Sequence, residues 1–407
     1  MVTRIGIFTG GGDCGGLNAV IEGTVKAAVH EGFEVDGILK GWEGGIHDNR
    51  LPLRISDVEG IHSTTGTIIQ TSRTNPYIFT GELDGRMFEK EDVSHRVIEN
   101  LNKAGLEAVI AVGGNDTLSV IRRREKDGNL RGLSPDYKDA PVFVGIPKTM
   151  DGDLQTYSLG LDTAINRAKK VIEDFIPLLA ANGSIGFVEF FGRDVGRVTF
   201  KAGISAGADV ILLPEVPIDQ DYTFDFIANR YDERAKRNNG TSHVLIAVAE
   251  GTTNPITGEK VYLSPGEDSF GHGKLGGIGD KLAKILEDKL RNDPRIRSHT
   301  KSLDIKTQRP TYGVRGGETL YSDSYIGQKL GVAAVQALIH GVQSGMAIIN
   351  FNEYGQIELM PIDKLIEPRP IHIKLLDAFE KSGLYCFGRR PLGNYEKPSF
   401  LVRNNSS

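Results

Sequence analysis

Thr9-Gly10-Gly11-Gly12-Asp13-Cys14-Gly15-Gly16-Leu17-Asn18 follows the apolar run Ile5-Gly6-Ile7-Phe8 and precedes an amphipathic stretch. This order reads as a strand, a glycine-rich turn and a helix. In an open parallel sheet, ligands bind beyond the carboxyl ends of strands, where glycines let backbone N–H groups and a helix N-terminus approach a phosphate. Taken alone, the turn matches neither the G-x-x-x-x-G-K-[ST] loop nor a clean G-x-G-x-x-G, and a tight βα turn explains it equally well.

Outward from this point, short apolar runs alternate with amphipathic stretches. Strands are predicted at 4–8, 34–39, 108–112, 142–146, 185–190, 210–213, 244–249 and 346–351, and helices at 18–30, 95–104, 117–126, 162–179, 278–291, 324–340 and 371–381. The strands are near-continuously apolar, as parallel strands covered on both faces are. The alternation predicts a doubly wound α/β architecture. Asp162 opens the longest helix and Gly183 can end it. One domain boundary is expected near residue 160 and a return crossing near 313. The stretch 251–280 reads as a long loop rich in Gly, Pro and Thr, and the tail 403–407 as frayed.

Composition bounds the function. The 407 residues carry 50 glycines, against a usual share of about 7%. A net charge of −5 argues against binding nucleic acid by overall charge. Cys14 and Cys386 are too few and too far apart for a disulfide framework or a cysteine zinc site, which suits a reducing cytosol. The histidines, His272 among them, give no metal spacing. No stretch of 18 apolar residues appears, so no membrane role is expected, and the reading is a cytoplasmic protein.

Three further segments strengthen the first. They are 66–73 (GTIIQTSR), 113–117 (GGNDT) and 147–153 (PKTMDGD). Arg73 and Lys148 can neutralise phosphate oxygens, Gly113-Gly114 opens backbone access, and Asp151 and Asp153 at i, i+2 can divide base work and metal work. Any one of these reads more simply as a solvated loop; the four together point to a phosphate site. The second half adds Phe191-Gly192-Arg193, Glu250-Gly251 and Tyr312-Gly313-Val314-Arg315, each beside glycine, which fits recognition of a phosphorylated polyol.

The ordered series GGGDCGGLNAVI, GTIIQTSR, GGNDT, PKTMDGD, FFGRDVG, AEG and YGVRGG, spread over roughly residues 3 to 350, resembles the phosphofructokinases. The resemblance implies two doubly wound three-layer α/β/α lobes with the active site between them: 1–160 plus 314–365 for the phosphoryl donor, 161–313 plus 366–407 for the sugar phosphate. It implies Asp151 as the base that takes the proton of the sugar 1-hydroxyl, with Arg193 stabilising the transferring phosphoryl. Gly12, Arg73, Gly114, Asp116, Thr117 and Lys148 would face the donor. Thr149, Phe191, Gly192, Arg193, Glu250, Tyr312 and Arg315 would hold the sugar phosphate. Asp153, with Asn115, would hold Mg²⁺. A homodimer or homotetramer is implied.

Two positions bear on the donor. Where ATP users of the family resemble GGDGS and PGTIDND, this chain has Asp116 and Lys148 in place of glycines, and it is similar there to the pyrophosphate-dependent 6-phosphofructokinases. Glycine leaves room for the α-phosphate and nucleoside, whereas a carboxylate fills that room and repels another anion. A lysine suits a compact, highly anionic donor. The alternative is an Asp116–Lys148 ion pair without bearing on the donor. The expected reaction is reversible transfer from pyrophosphate to fructose 6-phosphate, giving fructose 1,6-bisphosphate, as in glycolysis.

Departures from the family pattern leave other readings open. Asn115 stands where an acidic residue is usual, Gly152 loosens the D-N-D motif, and Tyr312 replaces a usual histidine. Ser184 and Lys306 stand where two arginines usually reach a neighbouring subunit's sugar phosphate; Arg309 or Lys301 could replace them. Glu22 stands where an effector-site arginine is usual, so no activation by nucleoside diphosphate is expected. ATP as donor, another acceptor such as sedoheptulose 7-phosphate, or a non-catalytic sugar-phosphate-binding regulator are the alternatives. The segment 265–280 reads either as a lid or as a capped loop entering the helix at 278–291.

Overall fold

The computed structural model describes residues 2–267, 270–350 and 356–390. Residue 351 of the last predicted strand, the tail 403–407, and parts of 265–280, 314–365 and 366–407 lie outside the described residues. Among the described residues the strands form a seven-stranded sheet, a four-stranded sheet and three two-stranded ribbons. The larger sheet runs Ile357–Pro361, Met346–Asn350, Val142–Pro147, Ala108–Gly113, Arg4–Thr9, Glu34–Ile38, Arg50–Pro52. Its five central strands are parallel and its two edges antiparallel. The smaller sheet, Val210–Leu212, Val244–Ala249, Ile185–Phe190, Ile305–Gln308, is parallel throughout.

The apolar runs follow from burial on both faces. Every residue of Ala108–Gly113, Ile185–Phe190 and Val244–Ala249 is buried. Successive residues feed opposite cores: Ala108, Ile110 and Val112 join one cluster with Ile5 and Ile7, whereas Val109 and Ala111 join another with Phe8 and Phe143. The smaller sheet divides likewise, Leu245 and Ala247 to one side and Val244, Ile246 and Val248 to the other. Each sheet is therefore the middle of an α/β/α sandwich, the α/β arrangement expected.

All eight predicted strands form, and six of the seven predicted helices: Leu17–His30, Ser94–Lys103, Leu161–Asn182, Ile278–Asn292, Tyr321–Ile339 and Ile373–Glu380. The seventh is a correction. Over 117–126 the helix stops at Ser119, and Arg123–Arg124 pairs with Leu130–Arg131. Leu118, Val120 and Ile121 are all buried in the core, a clustered anchor and not a helical stripe. The stretch 251–280 is also not all loop, since Tyr262–Glu267 pairs with Gly273–Leu275.

Besides several helices of six residues or fewer, two longer described helices escaped the sequence pattern, Arg197–Ala206 and Gln220–Arg237. The second is strongly charged. Its signals were Asp219, whose carboxylate caps the Tyr222 amide at 3.0 Å, and a buried stripe of Thr223, Ile227, Tyr231 and Ala235. The longest helix ends at Gly183 in the left-handed region, as expected, and runs through Pro177. Its start differs from the expectation: Gly160 precedes it, and Asp323 of the helix Tyr321–Ile339 accepts from the Gly160 and Thr163 amides, each at 2.8 Å. The cap thus comes from 160 residues away. Both cysteines are free and buried.

Candidate active site

The carboxyl ends of both sheets open onto one cavity of about 920 Å³. The loop after Arg4–Thr9 is fixed by backbone bonds from Gly10 to Val112 and from Gly11 to Ser72, both 2.9 Å, and by the Thr71 hydroxyl on the Gly11 carbonyl at 2.7 Å. That network brings the segment 66–73, and with it Arg73, to the cavity wall. Glycine is needed here for space. A Cβ at Gly10 would stand 2.6 Å from Thr117, and one at Gly12 would overlap the Arg315 guanidinium.

Lys148, directly after the strand Val142–Pro147, is buried and donates to the Gly12 carbonyl. Burial holds its ammonium below its usual range, and Arg315 and Arg73 push the same way. It makes no pair with Asp116. The Asp116 carboxylate instead meets His272 Nε2 at 3.2 Å, so the Asp116–Lys148 ion pair weighed above does not form. Thr117, buried, lies behind them, its carbonyl accepting from Trp42 at 3.1 Å.

The loop 149–153 is self-bonded. The Thr149 hydroxyl accepts from the Asp151 amide at 3.1 Å and donates to Asp153 Oδ1 at 2.7 Å. Gly152, at φ +68°, makes the turn between the carboxylates, and Arg197 donates to its carbonyl at 3.0 Å. Asp151 Oδ1 is buried without a hydrogen-bond partner. Burial first, then the like charge of Asp153, pushes the Asp151 carboxyl up to about 6, against the pull of Arg315, Arg193 and Arg73. Glu250 is pushed up to about 7 by burial and then by Asp151. The cavity thus holds two carboxyls that bind protons unusually well, ringed by guanidinium groups.

From the smaller sheet come Phe191, Arg193, Glu250, Tyr312 and Arg315. Arg315 lies over the Phe191 ring at 4.3 Å and donates to the Asp13 carbonyl at 3.2 Å, joining the two halves of the site. Arg193 donates to the Gly273 carbonyl at 2.9 Å. Tyr312 is 72% exposed at the rim. Of the residues expected at the site, Gly192 alone does not line the cavity; at φ +140° it turns the chain, and its carbonyl accepts from Gly251 at 3.0 Å.

The profile of the family described as phosphofructokinase matches residues 4–338. The chain belongs to the phosphofructokinase family. It is 34% identical over 364 residues to the pyrophosphate–fructose 6-phosphate 1-phosphotransferase of Dictyoglomus thermophilum, covering 88% of this chain and 92% of that one. It is 32% identical over 356 residues to the ATP-dependent 6-phosphofructokinase 2 of Clostridium perfringens, covering 86% and 89%. Among solved structures, the phosphofructokinase of Saccharomyces cerevisiae superimposes with a TM-score of 0.66 at 22% identity, over 94% of this chain and 47% of that longer one, a likeness of fold.

Phosphofructokinases work with a divalent cation, and the residues present fit one. Asp151 Oδ1 is an orphaned buried oxygen, Asp153 keeps one oxygen beyond its bond to Thr149, and Asn115 lines the same wall. These are hard oxygen donors of the kind Mg²⁺ takes, with waters and phosphate oxygens completing its shell. Among the described residues no group of three His, Cys, Asp or Glu side chains forms a ready-made metal site. No described helix is long and apolar enough to cross a membrane.

Sequence reasoning set His272 aside because histidine spacing was read only for metals. It also passed over Asp13, Glu189 and Lys274, which line the cavity too. Glu189 accepts from the Gly277 and Gly279 amides and so caps the helix Ile278–Asn292. Ser184 is fully buried, and Lys306 pairs with Asp304. Arg309 lines the cavity, and among the described residues it has no carboxylate partner. Glu22 is buried and held by Lys26 at 2.6 Å and His62 Nδ1 at 2.8 Å.

Proposed function

We propose that this cavity transfers a phosphoryl group from pyrophosphate to the 1-hydroxyl of fructose 6-phosphate, giving fructose 1,6-bisphosphate, in a reaction that runs both ways. The observation that carries the reading is Asp151: a buried carboxylate oxygen without a partner, facing a cavity ringed by arginines. A group so placed, with its carboxyl at about 6, is ionised at neutral pH and still basic enough to accept a hydroxyl proton.

In-line phosphoryl transfer depends mostly on positioning and electrostatic stabilisation. In this reading Asp151 takes the proton of the attacking hydroxyl, and Arg193 with Lys148 stabilises the transferring phosphoryl. Gly12, Arg73, Gly114 and Thr117 face the donor. Thr149 acts chiefly by fixing Asp151 and Asp153. Phe191, Glu250, Tyr312 and Arg315 hold the sugar, with Gly192 shaping their loop. Asp153 with Asn115 would hold Mg²⁺, which supplies neutralisation of the donor's charge when bound. Arg309 takes the acceptor's distal phosphate, the task that Ser184 and Lys306 are not built for.

The relatives' names include both donors at similar identity, so the donor rests on the residues. Asp116 at the donor end opposes a further phosphate, and Lys148 adds a buried cation beside the glycine loop. We assign the larger sheet's lobe, 1–160 plus 314–365, to the donor and the remainder, 161–313 plus 366–407, to the sugar, in a cytoplasmic homodimer or homotetramer. Initial rates with fructose 6-phosphate and Mg²⁺, pyrophosphate against ATP, test the reading. Assays with sedoheptulose 7-phosphate test the acceptor.

A further inference from the structure

The ribbon of Tyr262–Glu267 and Gly273–Leu275 lies in the chain between a strand of the smaller sheet and the helix Ile278–Asn292, yet it touches the donor end. Two consecutive residues make the connection. His272 Nε2 meets Asp116 Oδ1 at 3.2 Å, across 156 positions of sequence, and the next carbonyl, Gly273, accepts from Arg193 at 2.9 Å. Gly273 lacks a side chain for a packing reason, because a Cβ there would stand 2.6 Å from the Tyr262 ring. The ribbon therefore sits as a crosspiece over the cavity, with His272 on the donor side and the Gly273 carbonyl on the sugar side.

The pair is not a stabilising salt bridge of consequence. Both side chains are 34% exposed, and ion pairs in that setting contribute little to folding. Its consequence is positional. Asp116 sits in a short helix, Asn115–Ser119, and without a partner its carboxylate could turn to solvent or onto the buried ammonium of Lys148. Held by His272, it stays on the cavity rim, while Lys148 is drawn onto the Gly12 carbonyl. A neutral imidazole with its proton on Nε2 makes this bond, so the arrangement does not need a charged histidine.

We propose that His272 is a donor-specificity residue, acting through Asp116: it fixes that carboxylate as an anionic wall against any donor longer than two phosphates. This rests on the reading of the donor end as a pyrophosphate site and names the residue outside the donor loops that enforces it.

The test compares the wild type with His272→Ala, His272→Gln, Asp116→Gly and the double variant Asp116→Gly with His272→Ala, each assayed with pyrophosphate and with ATP. In His272→Ala the ratio of kcat/KM for pyrophosphate to that for ATP is expected to fall about tenfold, the usual size of one lost hydrogen bond to a charged group. The change should lie in the KM values and not in kcat. Glutamine, which keeps an N–H donor, should restore much of the ratio, and His272→Ala should add nothing in the Asp116→Gly background. An unchanged ratio in His272→Ala, or the same loss with and without Asp116, overturns the proposal. A wild type that uses ATP and ignores pyrophosphate overturns the donor reading itself, a result distinct from either.

Discussion

The Thr149 hydroxyl donates to Asp153 Oδ1 at 2.7 Å while it accepts the Asp151 amide at 3.1 Å. One side chain thus sets the spacing of both carboxylates, and it leaves Asp151 Oδ1 without a partner while occupying one oxygen of Asp153. The proposed division of labour, Asp151 as base and Asp153 as metal ligand, matches that asymmetry.

Asp151→Asn keeps the shape and removes the proposed base. Turnover should fall about 10²- to 10⁴-fold, the usual contribution of general-base catalysis, with substrate affinity largely retained. Because the folded state raises this carboxyl's proton affinity, its ionised form opposes folding at neutral pH, and the variant's melting temperature should not drop. Steady-state kinetics and a thermal melt read both effects; near wild-type turnover would remove Asp151 from the base role.

The same shift sets a pH dependence. A carboxyl raised to about 6 is in its basic form only above that value, so kcat/KM should decline as pH falls through about 6. An acid limb near the ordinary aspartate value of about 3.9 would show that Asp151 is not the titrating base.

Arg309→Ala should raise the KM for the sugar phosphate about tenfold or more and leave that for pyrophosphate unchanged, since a guanidinium–phosphate bond is charge-assisted. Arg309→Lys should fall between. Equal effects on both substrates would place Arg309 elsewhere than at the acceptor's phosphate.

Gly12→Ala places a methyl against the Arg315 guanidinium, which bridges the Asp13 carbonyl and the Phe191 ring. Displacing it by an ångström or so should lower kcat/KM about 10²-fold. Circular dichroism should show the fold retained.

The parallel sheets were legible because doubly buried strands such as Val244–Ala249 are apolar throughout, a local signal. The glycine loops were legible because they stand at strand ends. What sequence could not show was whatever depends on distant partners. The cap of the long helix comes from Asp323, the short turn after Ser119 is held by core contacts of Val120 and Ile121, and the His272–Asp116 contact joins residues 156 positions apart. The Asp116–Lys148 ion pair, weighed only as the alternative to a donor role for Asp116, does not form, and the histidine that takes its place lies too far along the chain for the sequence to show.

The central claim is the donor. Initial rates of fructose 1,6-bisphosphate formation, measured with fructose 6-phosphate and Mg²⁺ and with pyrophosphate or ATP supplied separately, test it most directly. Turnover with pyrophosphate and little or none with ATP is the result predicted from Asp116 and Lys148; turnover with ATP alone would contradict it.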